Sequence, residues 1–151
     1  KATSDYVLLG NNLLQGTTTP VTIELWATQN TAQNWSRIFD FHSSTAENLY
    51  MSWSVAAGLL TDRVQWNDGG GANSIIVDNT NQYALSTKYH IVMTVEPAAT
   101  PGSSLVKWYS APAYDGVTNL DLGINRCSFT IPNSLGADCL EVGTGMRFGH
   151  P

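Results

Sequence analysis

Charge is the scarcest commodity in this sequence. Asp, Glu, Lys and Arg make up 13% of the 151 residues, about half the ~25% usual in soluble domains. The seven Lys and Arg stand singly along the chain, and the net charge is −5. Without a basic patch, nucleic acid and anionic membrane surfaces are poor partners. No apolar run comes near the ~20 residues that a membrane-spanning helix requires. Helical pattern is almost missing too: only Leu13–Gln15 and Ala84–Thr87 offer room for even one helical turn. The chain begins at Lys1, with no Met and no signal-like apolar region. That reads as a processed form, an excised domain or a part of a longer protein.

Cysteine is limited to Cys127 and Cys139. The Pro-Asn-Ser and Gly-Ala-Asp between them let the chain double back, and the composition looks extracellular, so the expectation is a disulfide. Its short loop would contribute about 3 kcal/mol in the chain-entropy model. Two unrelated thiols are the alternative. A metal site on these cysteines would need further ligands, and His150 is the only candidate nearby.

What is abundant is uncharged polarity. The chain has 16 Thr, 13 Ser, 12 Asn and 5 Gln, the hydroxyl- and amide-rich surface of a secreted β-protein. Hydrophobic residues are 42% and aromatics 10%, ample for a core and against disorder. The length fits one domain, 1–151, burying roughly 68–70% of the surface of the unfolded chain.

The hydrophobic residues recur with period two. Val21 to Thr28 puts Val21, Ile23 and Leu25 on one face and Thr22, Glu24 and Trp26 on the other. Trp35 to His42 alternates Trp35, Arg37, Phe39 and Phe41 against Ser36, Ile38, Asp40 and His42. Leu49 to Val55, Arg63 to Asn67, Ser74 to Asp78, Tyr89 to Glu96 and Leu105 to Ser110 follow. Shorter runs lie at Ser4 to Gly10, Cys127 to Ile131 and Leu140 to Gly143. Ile91, Met93 and Val95 point inward on this reading. Turn signals separate the runs: Asp68-Gly69-Gly70-Gly71, the Pro/Gly stretch Pro97–Ser103, and Asp115-Gly116 in the long Ala111–Asn125 loop. Roughly ten short strands without helices predict an all-β fold, an antiparallel sandwich or jelly roll.

Several segments resemble a known family. Ser4-Asp5-Tyr6-Val7 with Leu13-Leu14, followed by VTIELW, is similar to the opening of laminin-G-like domains in the concanavalin A-like superfamily. WSRIFDF followed by LYMSW resembles the next strands of the laminin-G-like 3 type. Lys88-Tyr89-His90-Ile91-Val92-Met93-Thr94-Val95 matches a strand read in the family as W-x-H-I-A-V-T, and Leu140-Glu141-Val142-Gly143 its late L-x-x-G segment. The ordered set spans nearly the whole chain. Relatives continue into a final strand of the type x-I-D-E-F-R-I-Y, which is not visible here. The resemblance therefore implies a concanavalin A-like jelly roll apparently lacking its last C-terminal strand, the gap being a truncation or the place of another chain's strand.

Enzymatic chemistry on this fold would show in particular residue patterns. Retaining glycosidases need two carboxylates about 5–5.5 Å apart, on a strand at i and i+2 or i+4. Glu24 and Asp40 have no such partners, and the fold's glucanase pattern Glu-x-Asp-x-x-Glu is absent. No G-x-S-x-G elbow exists either. The expectation is a non-catalytic module, with a polysaccharide-cleaving enzyme based on Glu24 and Asp40 as a lesser alternative. Carbohydrate binding asks for an exposed aromatic platform beside amides and carboxylates. Gln65, Trp66, Asn67 and Asp68 form the best local cluster, and Trp108 with Tyr114 is the second. Trp26 and Trp53 read as packing residues, and His42 and His90 as ordinary hydrogen-bonded ones. Calcium, common among relatives of the fold, needs six to eight oxygen ligands; Asp68 and Asp115 are the candidates. Asn34-Trp35-Ser36 is the one glycosylation sequon. The function expected is an extracellular, cell-surface or secreted recognition module for a glycan or glycoprotein. The alternative is a structural module of an extracellular filament, completed by strand addition at an open sheet edge.

Overall fold

The computed structural model describes residues 5–9, 19–42, 47–54, 61–68, 74–113, 124–131 and 145–150. They form ten strands: β1 (Asp5–Leu9), β2 (Val21–Thr28), β3 (Ser36–His42), β4 (Glu47–Ser54), β5 (Thr61–Asp68), β6 (Ser74–Gln82), β7 (Lys88–Pro97), β8 (Ser104–Pro112), β9 (Ile124–Ile131) and β10 (Gly145–His150). Two antiparallel sheets result, one of six strands in the order β1-β10-β3-β4-β5-β6 and one of four in the order β2-β7-β8-β9. All described elements are strands, as the period-two pattern predicts. Leu140 to Gly143, read from sequence as a strand, lies outside the described residues.

The two inner faces share one core. The six-stranded sheet contributes Phe39, Phe41, Leu49, Met51, Trp53, Val64 and Trp66; the other contributes Ile91, Met93, Val95, Val106, Trp108 and Ile131. Cross-strand register lines them up: Phe41, Leu49 and Trp66 share one row, and Phe39, Met51 and Val64 the next. Paired residues of antiparallel strands point to the same face, so these rows form continuous apolar bands. Phe39 stacks on Phe41 at 4.8 Å between ring centroids and reaches Trp108 of the opposite sheet at 5.9 Å. Toward one end Trp53, Tyr83 and Tyr89 meet edge to face. The Trp108 indole donates to the Tyr83 hydroxyl at 3.3 Å, and the Tyr89 hydroxyl accepts from the Ala84 amide at 3.0 Å. The Trp108 indole N–H and the hydroxyls of Tyr83 and Tyr89 are thereby paired inside the core.

The turn between β7 and β8 follows from its residues. The Ser103 amide donates to the Thr100 carbonyl at 3.1 Å, with Pro101 and Gly102 between. Gly102 has φ +80°, the third-position requirement of a type II turn, with Pro favoured just before it.

The structure corrects the sequence reading at the closing strand. Gly145–His150 inserts between β1 and β3, with Met146 opposite Phe41 and Val7 opposite Phe148. The expected gap is filled by β10. It escaped the sequence reading because Gly-Met-Arg-Phe-Gly-His has two glycines and no β-branched residue, and its pairing supplies what propensity does not.

A second correction concerns β3. Ser36 pairs with Ser54 and Arg37 with Ser52, but Phe39 pairs with Met51. The strand carries an irregularity of the β-bulge kind, which breaks strict alternation. Arg37 therefore leaves the face of Phe39 and Phe41 and joins Asp40 on the outer face, where the two form an ion pair. Trp26, read as a packing residue, is instead 50% exposed, whereas Trp53 is buried as expected.

Phe39 is fully buried at the meeting of the sheets. Phe39→Ala is expected to lower unfolding free energy by about 3–5 kcal/mol, read as a shifted denaturation midpoint at unchanged slope. A loss below 1 kcal/mol, roughly the surface-mutation range, would show that the sheets do not depend on this contact.

Candidate functional site

The outer face of the six-stranded sheet is polar where β3, β4 and β5 run side by side. Register places Asp40, Tyr50 and Gln65 in one row and Arg37, Ser52 and Arg63 in the next. The Tyr50 hydroxyl donates to Gln65 Oε1 at 2.7 Å. Arg37 Nη1 donates to Asp40 Oδ2, and its guanidinium lies over the Tyr50 ring at 4.1 Å. The guanidinium of Arg63 sits 5.2 Å from the ring of Trp35. The Arg37 side chain laid over its ring accounts for the burial of Tyr50 on a face turned from the core, where Ser52 is buried as well.

Trp35 is the wall of this site. It is 43% exposed, and its backbone sits in the left-handed region at φ 54°, an outlier for a bulky residue. Such a conformation costs of order 1–3 kcal/mol and persists only where the surroundings over-determine it. Here Ser54 Oγ donates to the Gln33 carbonyl at 2.6 Å, Gln29 Nε2 donates to Ser54 Oγ at 3.4 Å, and the Ser86 amide donates to the Gln29 carbonyl at 2.8 Å. The 29–35 connection is thus tied to β4 and to the connection between β6 and β7. Asn34 of the sequon is exposed in the same turn.

Polar capacity remains unused at the floor. Among the described residues, the buried Nε of Arg37 and Oγ of Ser52 find no hydrogen-bond partner. Buried polar atoms are generally satisfied, and exceptions call for an explanation. Above these buried atoms the row presents two guanidinium groups, the half-buried Gln65 and an indole at its rim, groups able to hold a hydroxylated ring.

Burial also acts on Tyr50. It pushes the phenol above its ordinary value of 10.0, while Arg37 and Arg63 pull the other way. The folded state then holds this proton more tightly than the unfolded state, so the associated stability is present below pH 10 and is lost as pH rises beyond it. We expect unfolding free energy to fall above pH 10 more steeply in the wild type than in Tyr50→Phe. Denaturant melts at pH 8 and pH 11 read this, the variant itself losing about 1 kcal/mol at pH 8 with its hydrogen bond.

The sequence-expected site residues are scattered by the fold. Gln65 belongs to the outer row, and Asn67 lies half-buried two residues along the same strand. Trp66 is 1% exposed and Trp108 0%; both rings fill the core, so neither offers a face to a ligand. Asp68 closes β5, but its side chain lies outside the described residues, as do Tyr114 and Asp115 entirely. The expected calcium ligands are therefore not brought into view, and among the described residues no three His, Cys, Asp or Glu side chains converge. Cys127 stands opposite Trp108 in the register; its side chain and Cys139 lie outside the described residues, among which no disulfide is formed. Glu24 and Asp40 belong to different sheets and point outward on opposite sides of the sandwich, so together they cannot flank one glycosidic bond. Trp35, Arg37, Tyr50, Ser52 and Arg63 were not singled out as a site by the sequence. The only available signal was the density of aromatic and cationic residues around Asn34-Trp35-Ser36-Arg37.

Among the described residues no helix is long and apolar enough to cross a membrane. No curated protein matches the chain in a sequence comparison. A family model does match: Laminin G 3, of the Concanavalin A-like lectin/glucanases superfamily, over residues 1–110. That span holds β1 to β7 and most of β8, and thus every residue of the outer row and its rim. Laminin-G-like domains are typically non-catalytic binding modules and are commonly extracellular. With its all-strand architecture of two antiparallel sheets and this match over most of its length, the chain belongs to the laminin-G-like family of the concanavalin A-like lectin/glucanase superfamily.

Proposed function

We propose that this domain is an extracellular recognition module that binds a glycan, free or on a glycoprotein, on the outer face of its six-stranded sheet. Trp35 is the stacking platform in this reading. Arg63 backs its indole, and the half-buried Arg37 and Gln65 supply polar groups to ring hydroxyls, with Tyr50 and Ser52 beneath them. The observation that carries the reading is the exposed Trp35 indole, held in a left-handed backbone conformation beside the arginines. Retaining a strained aromatic at the surface has no benefit to folding, and strain of this kind clusters at ligand clamps.

The family supports a carbohydrate-binding type of module in general terms. The filament reading drew on a missing closing strand, and β10 now occupies that place. A cleaving enzyme built on Glu24 and Asp40 is disfavoured by their positions on opposite sides and by the Arg37–Asp40 ion pair. Calcium at Asp68 and Asp115 remains a proposal separate from this site.

Asn tolerates the left-handed region, so Trp35→Asn removes the platform without forcing the backbone. We expect thermal stability unchanged or slightly raised, while binding to glycans retained by the wild type on an array falls at least about tenfold, the loss of one stacking contact of 1–2 kcal/mol. Unaltered glycan binding by this folded variant would overturn the assignment. Ser54→Ala removes the hydroxyl that anchors the Gln33 carbonyl; it is expected to weaken binding severalfold without touching ligand, through a looser Trp35, while Ser54→Thr restores it.

A further inference from the structure

The opposite side of the sandwich carries a second cluster that the first site does not use. On the outer face of the four-stranded sheet, Trp26 stands opposite His90, and Glu24 opposite Val92. The Trp26 and His90 rings are stacked, 4.7 Å apart and inclined by 18°. His90 Nε2 and Glu24 Oε1 are 2.8 Å apart. His90 is almost wholly buried, whereas the Glu24 side chain is 41% exposed. Lys88, exposed, stands opposite Thr28 one row further on, away from Glu24.

Each part of this arrangement has a chemical meaning. The His90 ring covers one side of the indole, and half of Trp26 remains open to solvent. Among the described residues the Glu24 carboxylate is engaged only through Oε1, so an acceptor stands beside the open indole. Strand geometry puts Glu24 and Trp26, two residues apart, about 6.6–6.8 Å from each other on one face, the scale of one sugar ring. The His90–Glu24 contact fixes both the acceptor and the ring beneath the platform. An oriented carboxylate next to an aromatic face is suited to a ligand that stacks an apolar face and donates hydroxyl protons from its rim.

We propose that Glu24, Trp26 and His90 form a second glycan subsite, for a neutral pyranose, facing away from the Trp35 site. The choice of a sugar as ligand class rests on the glycan reading above; the site itself rests on its own geometry. Two subsites on opposite outer faces cannot grip one short oligosaccharide, because the sandwich core, about 10 Å thick, lies between the sheets. They hold two chains, or two branches, at once, and the module becomes a cross-linker whose binding to dense glycans exceeds that of either subsite.

The test uses the five indole signals of 15N-labelled protein, with Trp26 and Trp35 assigned through Trp26→Phe and Trp35→Asn. The probes are cellohexaose, maltohexaose and N-acetylchitohexaose, titrated separately. The expected result is that at least one of them moves the Trp26 signal saturably, with the same dissociation constant in Trp35→Asn. Glu24→Gln is expected to weaken that binding about tenfold, as for loss of a charged acceptor. Movement of the Trp26 signal alone supports this subsite and sinks the Trp35 reading. Movement of the Trp35 signal alone overturns this subsite and leaves that reading standing. A Trp26 signal that none of the three probes moves, or one that Glu24→Gln does not affect, overturns the proposal.

Discussion

Phe39 touches both halves of the molecule, and its position sets what every neighbouring residue can do. Its ring lies against Phe41 in its own strand and against Trp108 across the sandwich. A strand has only two faces, so fixing Phe39 inward fixes Asp40 outward. The register then hands that outward direction to Tyr50 and Gln65. The polar outer row is in this sense the reverse side of the core. Neither can shift by one residue without exchanging apolar for polar along three strands.

The β3 irregularity is the one place where that rule is relaxed. It turns Arg37 outward while Phe39 stays inward, and so puts a guanidinium over Tyr50 and next to Asp40. In an unbroken strand Arg37 would share the core face with Phe39, where an unpaired charge is costly. The bulge resolves this conflict and in doing so builds the site. Just before it, the backbone of Trp35 takes its unusual left-handed turn, so that two departures from regular strand geometry lie within a few residues of each other. Bulges are over-represented beside functional sites because they re-aim side chains in this way.

Fold class was legible because it depends on a period that the sequence displays openly, as in Val21, Ile23 and Leu25 against Thr22, Glu24 and Trp26. The site was less legible for two reasons. Trp66 was grouped with Gln65, Asn67 and Asp68 because they are neighbours in the chain. In a strand, neighbours face opposite ways, and Trp66 belongs with the buried Val64. The same parity pairs Trp108 with Val106. Applied strictly, alternation would have put both rings inside and Trp26 outside. The second reason is physical rather than interpretive. The 29–35 connection that carries Trp35 is held by Ser54 and Ser86, roughly twenty and fifty residues further along the chain. Local propensity carries no trace of them.

The insertion of β10 between β1 and β3 has a consequence for how the chain acquires its shape. Gly145 pairs with His42, and Asp5 with His150, so one end of the larger sheet is joined from segments that ribosomal synthesis separates widely in time. Until Gly145–His150 emerges, β3 presents an unpaired edge and β1 has no neighbour in the described sheet. Contacts of such long sequence separation slow folding, and an uncovered hydrophobic strand invites wrong pairings meanwhile. Nascent chains of this domain are therefore most exposed to chaperones, and to one another, in the interval before their last described strand leaves the ribosome.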